Sequence, residues 1–156
     1  MIAKTCCFTG HRVIPTECRA VLTRRLEETL CFHIEKGYLY FGAGGALGFD
    51  TLVAQTILRL KRRFPQIKLI LVLPCLSQTK SWRAEDIEKY ERIKAAADKV
   101  VYTSKEYYRG CMFARNRHLV DNSSLCICYL TKSTGGTAYT VNYAKQKGLT
   151  VVNLAE

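Results

Sequence analysis

The sequence contains no run of apolar residues long enough to cross a membrane, and only 3 of its 156 residues are proline. A membrane-spanning helix needs roughly 18–20 consecutive apolar residues, so no segment here qualifies. Residues 1–5 lead into a strand-like segment and lack the features of a signal peptide. We therefore expect a cytoplasmic protein with no membrane partner.

Clustered metal ligands are also missing. The 8 cysteines include only two close pairs, Cys6-Cys7 and Cys126-x-Cys128, whose members cannot all face one metal from a strand. Most cysteines fall in strand-like or helical runs, which is typical of reduced, buried thiols rather than of a disulfide framework. We expect no metal site and no cofactor, although a nucleotide ligand is compatible with the sequence.

Acidic residues are scarce relative to basic ones. Lys and Arg number 24 against 13 Asp and Glu, which gives a formal net charge of +11. A basic surface attracts phosphate, so the charge favours a nucleotide or a nucleic acid as the partner. The length and the absence of linkers or repeats predict a single domain over residues 1–156.

Apolar runs and helical periodicities alternate along the chain. The predicted strands cover residues 5–9, 38–41, 67–73, 99–102, 125–130 and 150–154, and five helical segments separate them. Strands separated by helices form right-handed crossovers. The sequence therefore predicts an α/β fold, a Rossmann-like, doubly wound and mainly parallel sheet with helices on both faces.

Ligands bind such a sheet beyond the carboxyl ends of its strands, and two glycine-rich loops are predicted there. Gly42–Gly48 and Ser133–Thr137 each precede a helix, where backbone amides and the helix dipole favour phosphate. The first loop departs from the Rossmann fingerprint because Leu47 stands where the third glycine belongs. A tight strand-to-helix turn is the alternative interpretation of both loops.

Polar residues near the same edge complete the predicted site. Arg115 is expected to bind phosphate, Asp50 and Asn116 to bind sugar hydroxyls, and His11 to orient the ligand. The alternative for Arg115 and Asn116 is an exposed helical surface. The full set of predicted ligand-binding residues is Gly10, His11, Arg12, Gly44, Gly45, Asp50, Arg115, Asn116, Thr134, Gly135, Gly136 and Thr137.

Two further features allow two interpretations each. The basic group of Arg59 and Lys61–Arg63 is typical of a nucleic-acid patch, but it falls at the end of a predicted helix, where cations favour the dipole. Trp82, the sole tryptophan, either stacks on a base or covers the edge of the core. We favour a solvated helix face for the basic group and a packing role for Trp82.

Four segments together resemble the SLOG superfamily: Cys7–Arg12, Gly42–Asp50, Met112–Arg117 and Ser133–Ala138. More narrowly, the chain is similar to the branch of small bacterial proteins designated DUF1273 or YpsA-like. The resemblance spans nearly the whole chain and implies a Rossmann-like fold. It is also compatible with a homodimer.

The resemblance implies three functions. The cytokinin-activating phosphoribohydrolases of the superfamily share the pattern of Met112-x-x-Arg115 and Gly136-Thr137, but Tyr139 and Thr140 stand where their acidic residues belong. We therefore expect a non-catalytic or weakly catalytic module, such as a sensor, that binds a nucleotide or a nucleotide-derived ligand. Nucleotide N-glycosidase activity, with a substitute carboxylate from Asp50 or Asp121, is one alternative. The other is binding of single-stranded DNA, as in the DNA-processing protein A family.

Overall fold

The computed structural model describes residues 1–156 as one six-stranded sheet flanked by five α-helices. The strands are β1 (Thr5–Gly10), β2 (Tyr40–Ala43), β3 (Lys68–Leu73), β4 (Lys99–Tyr102), β5 (Leu125–Tyr129) and β6 (Thr150–Asn153). The helices are α1 (Thr16–Glu35), α2 (Phe49–Leu60), α3 (Ala84–Ala96), α4 (Cys111–Asp121) and α5 (Gly136–Gln146), and a 3-10 turn spans Ile2–Lys4. The predicted Rossmann-like α/β fold is confirmed.

Every neighbouring pair of strands is parallel, in the order β4-β3-β2-β1-β5-β6. The chain builds outward from β1 to β4, crosses back, and continues with β5 on the other side of β1. The direction of winding therefore reverses between β1 and β5. A crevice opens at such a reversal beyond the carboxyl ends of the strands.

The first face of the sheet carries the larger core. Helix α1 buries Leu22, Leu26, Leu30 and Ile34, which recur at helical spacing and form one apolar stripe. They pack with Phe41 and with apolar residues of α2 in one buried cluster. Such burial, at about 25 cal/mol per Å² of apolar surface, is the main force that fixes the sheet under these helices.

The second face is covered by α4 and α5. Its smaller core joins Cys7 and Cys126, which are aligned on adjacent strands, with Leu119 of α4 and Val141 of α5. All 8 cysteines are free thiols, and Cys18 is the one that is exposed. None of the helices has the length and apolar composition that a membrane span requires.

The ends of three elements are set by local hydrogen bonds and pairing. Helix α2 ends at Leu60, and the amides of residues 62–64 then bond to the carbonyls of Arg59 and Leu60 in a turn. Strand β2 extends through Gly42 to Ala43, where both pair with β3. Helix α1 begins at Thr16, with Pro15 at the N-cap position and no side-chain cap.

Candidate functional site

A cleft of about 470 Å³ lies at the reversal point of the sheet, between the carboxyl ends of β1 and β5 and the first turns of α4 and α5. Every predicted ligand-binding residue except Gly44 and Gly45 lines this cleft. The lining residues are Phe8, Thr9, Gly10, His11, Arg12, Ala46, Asp50, Met112, Arg115, Asn116, Lys132, Thr134, Gly135, Gly136 and Thr137. Residues distant in sequence therefore meet in one concave surface.

The loop before α5 presents unobstructed backbone to the cleft. Gly135 has a φ of 101°, which favours glycine, and a Cβ built on Gly135 or on Gly136 would meet no atom within 4 Å. No side chain caps this helix. The first amides of a helix have no partner within the helix, and the positive end of the helix dipole lies there. This loop is equipped to bind an oxyanion.

The Gly42–Gly48 loop has a different role. The Gly44 carbonyl accepts hydrogen bonds from Arg115 and from Nε2 of Gln78, the latter at 3.3 Å. A Cβ on Gly44 would lie 2.5 Å from Nη1 of Arg115, and one on Gly45 would lie 2.6 Å from Leu73. These glycines therefore allow close packing behind the cleft, and the structure does not bring them to its wall.

Arg115 is buried, with 4% of its surface exposed. Its Nη1 donates to the carbonyls of Gly44 and Val72, and its Nε donates to Oδ1 of Asn116 at 2.8 Å. Burial lowers the pKa of Arg115, and the nearby Asp50 opposes that shift. Only Nη2 lacks an oxygen partner, with Sδ of Met112 at 3.9 Å. Arg115 therefore fastens α4 to the glycine-rich loop, and its Nη2 has only the Met112 sulfur as a partner.

Asp50 is the only carboxylate in the cleft lining. It is 7% exposed and accepts a hydrogen bond from the Ala46 amide at 3.2 Å. Burial raises the pKa of Asp50, and the charge of Arg115 acts in the opposite direction. Asp121, the other candidate acid, is exposed at the far end of α4 and accepts from the Tyr143 hydroxyl at 2.7 Å. Asp121 therefore lies outside the cleft.

The segment after β1 forms the opposite wall. Nε2 of His11 accepts a hydrogen bond from the Thr131 amide at 2.9 Å. Burial and the charge of Lys132 lower the pKa of His11, so the ring is neutral near pH 7. Gly10 lies against the ring of Phe49 so closely that a Cβ would clash. His11 therefore joins the β1 and β5 loops, and Gly10 permits the close approach of α2.

Sequence reasoning missed Lys132, Thr9 and Met112 as lining residues. Lys132 precedes the Ser133–Thr137 loop directly, and this position next to a predicted phosphate loop was the available signal. Thr9 and Met112 belong to the segments that carry the family resemblance, Cys7–Arg12 and Met112–Arg117, which was the available signal for them.

The other two ambiguous features lie outside this cleft. Trp82 packs edge-on against Tyr90, with ring centroids 5.4 Å apart. In the basic group, Lys61 pairs with Asp98 at 2.6 Å, and Arg59 pairs with Glu27 at 2.9 Å. These contacts agree with the packing role for Trp82 and with a solvated, ion-paired face for the basic group.

A parallel, doubly wound sheet with a basic, glycine-lined cleft at its reversal point defines a Rossmann-like α/β protein. A family model described as the YspA SLOG family, YpsA, matches residues 16–152. The chain belongs to this YpsA SLOG family. It is 30% identical to the UPF0398 protein BH1768 of Halalkalibacterium halodurans over 129 residues, which cover 81% of this chain and 68% of that protein. It is also 30% identical to the SPβ prophage-derived protein YoqJ of Bacillus subtilis, over 68% of this chain and 69% of YoqJ.

Solved structures show the same fold. The chain is similar to DNA processing protein A from Streptococcus pneumoniae, with a TM-score of 0.70 and 18% identity over 96% of this chain. It is also similar to DNA processing protein A from Helicobacter pylori, with a TM-score of 0.66 and 17% identity over 94% of this chain. The chain spans only 49% and 63% of those two proteins, respectively.

Proposed function

We propose that this protein binds a nucleotide or a nucleotide-derived ligand in the cleft and that it acts as a binding module or sensor. The observation that carries the proposal is the open loop of Gly135 and Gly136 at the start of α5, facing a cleft rich in cations. Backbone amides at a helix start bind phosphate without a dedicated side chain. The family and fold support the same class of ligand.

The charges of the cleft favour an anion. Arg12, Arg115 and Lys132 line it together with the single carboxylate of Asp50. Arg12 and Lys132 are exposed and are free to follow a ligand, whereas Arg115 is held in place. We therefore assign phosphate binding to the α5 loop and these cations.

The rest of the ligand requires hydrogen-bonding partners. Asp50 and Asn116 line the cleft and suit sugar hydroxyls, since a carboxylate accepts and an amide both donates and accepts. Thr134 and Thr137 add hydroxyls on the α5 side. A molecule with phosphate at one end and ribose next to it matches this order of groups.

A thermal-shift panel tests the proposal. AMP, ADP, ADP-ribose and NAD are compared with adenosine, which lacks phosphate. A ligand at a concentration 100 times its Kd stabilises the folded state by about 2.7 kcal/mol, and for a chain of this size that raises Tm by roughly 5–10 °C. We expect at least one phosphorylated compound to raise Tm and adenosine to leave it unchanged. A panel without a shift at millimolar concentrations would refute the proposal.

The cleft supports binding without hydrolysis of the glycosidic bond. Tyr139 and Thr140 stand where the phosphoribohydrolase pattern has acids, and Asp121 lies outside the cleft. We expect no base to accumulate when nucleoside monophosphates are incubated overnight with the protein and analysed by chromatography. Base release that scales with protein and stops in Asp50→Asn would show that Asp50 is a substitute acid.

A second candidate function is binding of single-stranded DNA, which an exposed aromatic pair in the first turns of α4 and α5 favours. The rings of Phe113 and Tyr139, 39% and 40% exposed, meet edge-on with centroids 4.7 Å apart. Arg117 donates to the Tyr139 hydroxyl at 3.1 Å. Such groups stack on nucleobases. The similar Helicobacter pylori protein is described by its single-stranded DNA binding mode.

Anisotropy of a labelled oligothymidylate separates the two functions. Stacking on one aromatic is worth about 1–3 kcal/mol by alanine substitution, so Tyr139→Ala would weaken an oligonucleotide about five- to 150-fold. Phe32→Ala removes an aromatic of α1 that is 57% exposed, and it serves as the control. Under the nucleotide proposal, Tyr139→Ala leaves binding of ADP unchanged. Wild-type protein that binds the oligonucleotide but no mononucleotide would favour the DNA function.

A further inference from the structure

A second cavity lies on the sheet face that α4 and α5 cover incompletely. Right-handed crossovers place α1, α2 and α3 on one face and leave two helices for the other. Helix α4 packs on β1 and β3, and α5 packs on β1, β5 and β6. Over β2, β3 and β4 this leaves an open groove of about 380 Å³, which shares no residue with the nucleotide cleft.

The floor of the groove is apolar. Strand residues alternate between the faces of a sheet, and Tyr40, Ile70 and Val101 on these three strands point into the groove and are only partly buried. Leu119 of α4 forms one side wall, and the N-terminal 3-10 turn closes the groove with Ile2. Its volume lies at the lower end of the range for small-molecule sites, roughly 300–1,000 Å³.

Lys99 is the cationic side chain that lines the groove, and Thr5, Asn122 and Ser123 add uncharged polar groups. Lys99 and His118 lie among the lining residues, and no carboxylate does. The nearest acids in sequence are engaged elsewhere, because Asp98 pairs with Lys61 and Asp121 accepts from a tyrosine hydroxyl. Lys99 has no carboxylate within ion-pair distance in the structure. An apolar floor with an unpaired cation beside it complements a molecule that has an apolar body and an anionic group.

We propose that this groove binds a small amphipathic anion, a molecule with an apolar body and one carboxylate, sulfonate or phosphate group. The apolar body lies over Ile70 and Val101, and the anionic group faces Lys99. A second copy of this chain is the competing occupant. The net charge of +11 and the lysine at the groove oppose that contact, because two such faces would bring cations together.

Fluorescence titration with 8-anilinonaphthalene-1-sulfonate, an aromatic sulfonate, tests the proposal directly. We expect saturable binding that dodecanoate displaces and that dodecyltrimethylammonium, with an equal chain and opposite charge, does not. The Arg12→Ala variant, which changes the other cleft, leaves the binding unchanged. These arms separate a failure of this proposal from a failure of the nucleotide proposal.

Two variants locate the site. Lys99→Glu reverses the charge at an exposed position and weakens the sulfonate about tenfold or more, since a charge-assisted contact is replaced by repulsion. Lys80→Glu makes the same change of charge at an exposed residue outside the groove and leaves the affinity unchanged. Val101→Asp introduces an anion on the floor and abolishes binding, with circular dichroism confirming the fold.

Three results would overturn the proposal. Equal affinity in Lys99→Glu and Lys80→Glu means that the cation is not part of a site. Displacement by both amphiphiles alike means non-specific adsorption to an apolar face. Sedimentation that shows a wild-type dimer, converted to a monomer by Val101→Asp, means that a second copy fills the groove.

Discussion

Replacing Gly136 by alanine separates the binding role of the α5 loop from its structural role. A Cβ at Gly136 meets no atom within 4 Å, and the φ of Gly136 lies outside the left-handed region. Alanine is therefore accommodated without strain. Since alanine also restricts the unfolded chain, we expect Gly136→Ala to stabilise the fold by about 0.4–1 kcal/mol. For a chain of this length, this raises Tm by roughly 1–4 °C.

Under the proposed function, the same methyl group lies on the surface that the phosphate approaches. A charge-assisted hydrogen bond is worth about 1.5–3 kcal/mol, so displacing the phosphate from one amide lowers affinity roughly ten- to hundredfold. The assay is calorimetric titration with the best ligand of the thermal-shift panel, beside urea denaturation of the free protein. We expect stability and affinity to change in opposite directions.

Gly135→Ala is the matched comparison. Gly135 has a φ of 101°, so alanine there costs about 1–3 kcal/mol of backbone strain. We expect this variant to lose both stability and affinity. If Gly136→Ala binds the nucleotide as tightly as the wild type, the α5 loop does not hold the phosphate and the reasoning is refuted.

Three other predictions follow from the cleft. Arg12→Ala and Lys132→Ala should each weaken nucleotide binding measured by calorimetry, whereas Arg62→Ala, which removes a charge outside the cleft, should not. Equal losses of affinity in all three variants would indicate only a general attraction of anions to a basic protein. Arg115→Ala leaves buried acceptors unsatisfied and lowers the free energy of unfolding by about 2–4 kcal/mol in urea denaturation, and an unchanged stability would contradict its fastening role. Burial raises the pKa of Asp50, so the folded state binds the carboxyl proton more tightly than the unfolded state does. The wild-type free energy of unfolding therefore falls as pH rises from the unfolded pKa of about 4 through the raised pKa of the folded state. In urea denaturation between pH 4 and 7, the free energy of unfolding of Asp50→Asn should lack this fall with pH. If the wild type and Asp50→Asn show the same dependence on pH, Asp50 ionises normally in the folded state.

The sequence predicted the fold well because its strands are sharply marked. Residues 67–73 form a nearly continuous apolar run, as a strand buried on both faces requires, and β3 occupies residues 68–73. The ends of strands were predicted less well where a glycine was taken to end the strand. Gly42 belongs to β2, where its missing side chain makes room for Leu119 of α4. That packing depends on a helix more than 70 residues away in the chain.

The sequence predicted which residues come together at one edge of the sheet, but it did not predict how the two glycine loops differ. Motif reasoning placed His11, Asp50, Arg115 and the α5 loop at one edge of the sheet, and the structure brings them together. It gave both glycine loops the same role, because both precede helices. Only the three-dimensional contacts show that Gly44 packs against a buried guanidinium while Gly136 faces open space.

The amide resonances of the glycine loops test the central claim most directly. In a titration of isotope-labelled protein with ADP or ADP-ribose, followed by two-dimensional NMR, we expect the largest shifts at the amides of Gly136 and Thr137. The amides of Gly44 and Gly45 lie behind the cleft and should shift far less. Saturating binding with the largest shifts at Gly44 and Gly45, and none at Gly136 and Thr137, would contradict the assignment of the phosphate site.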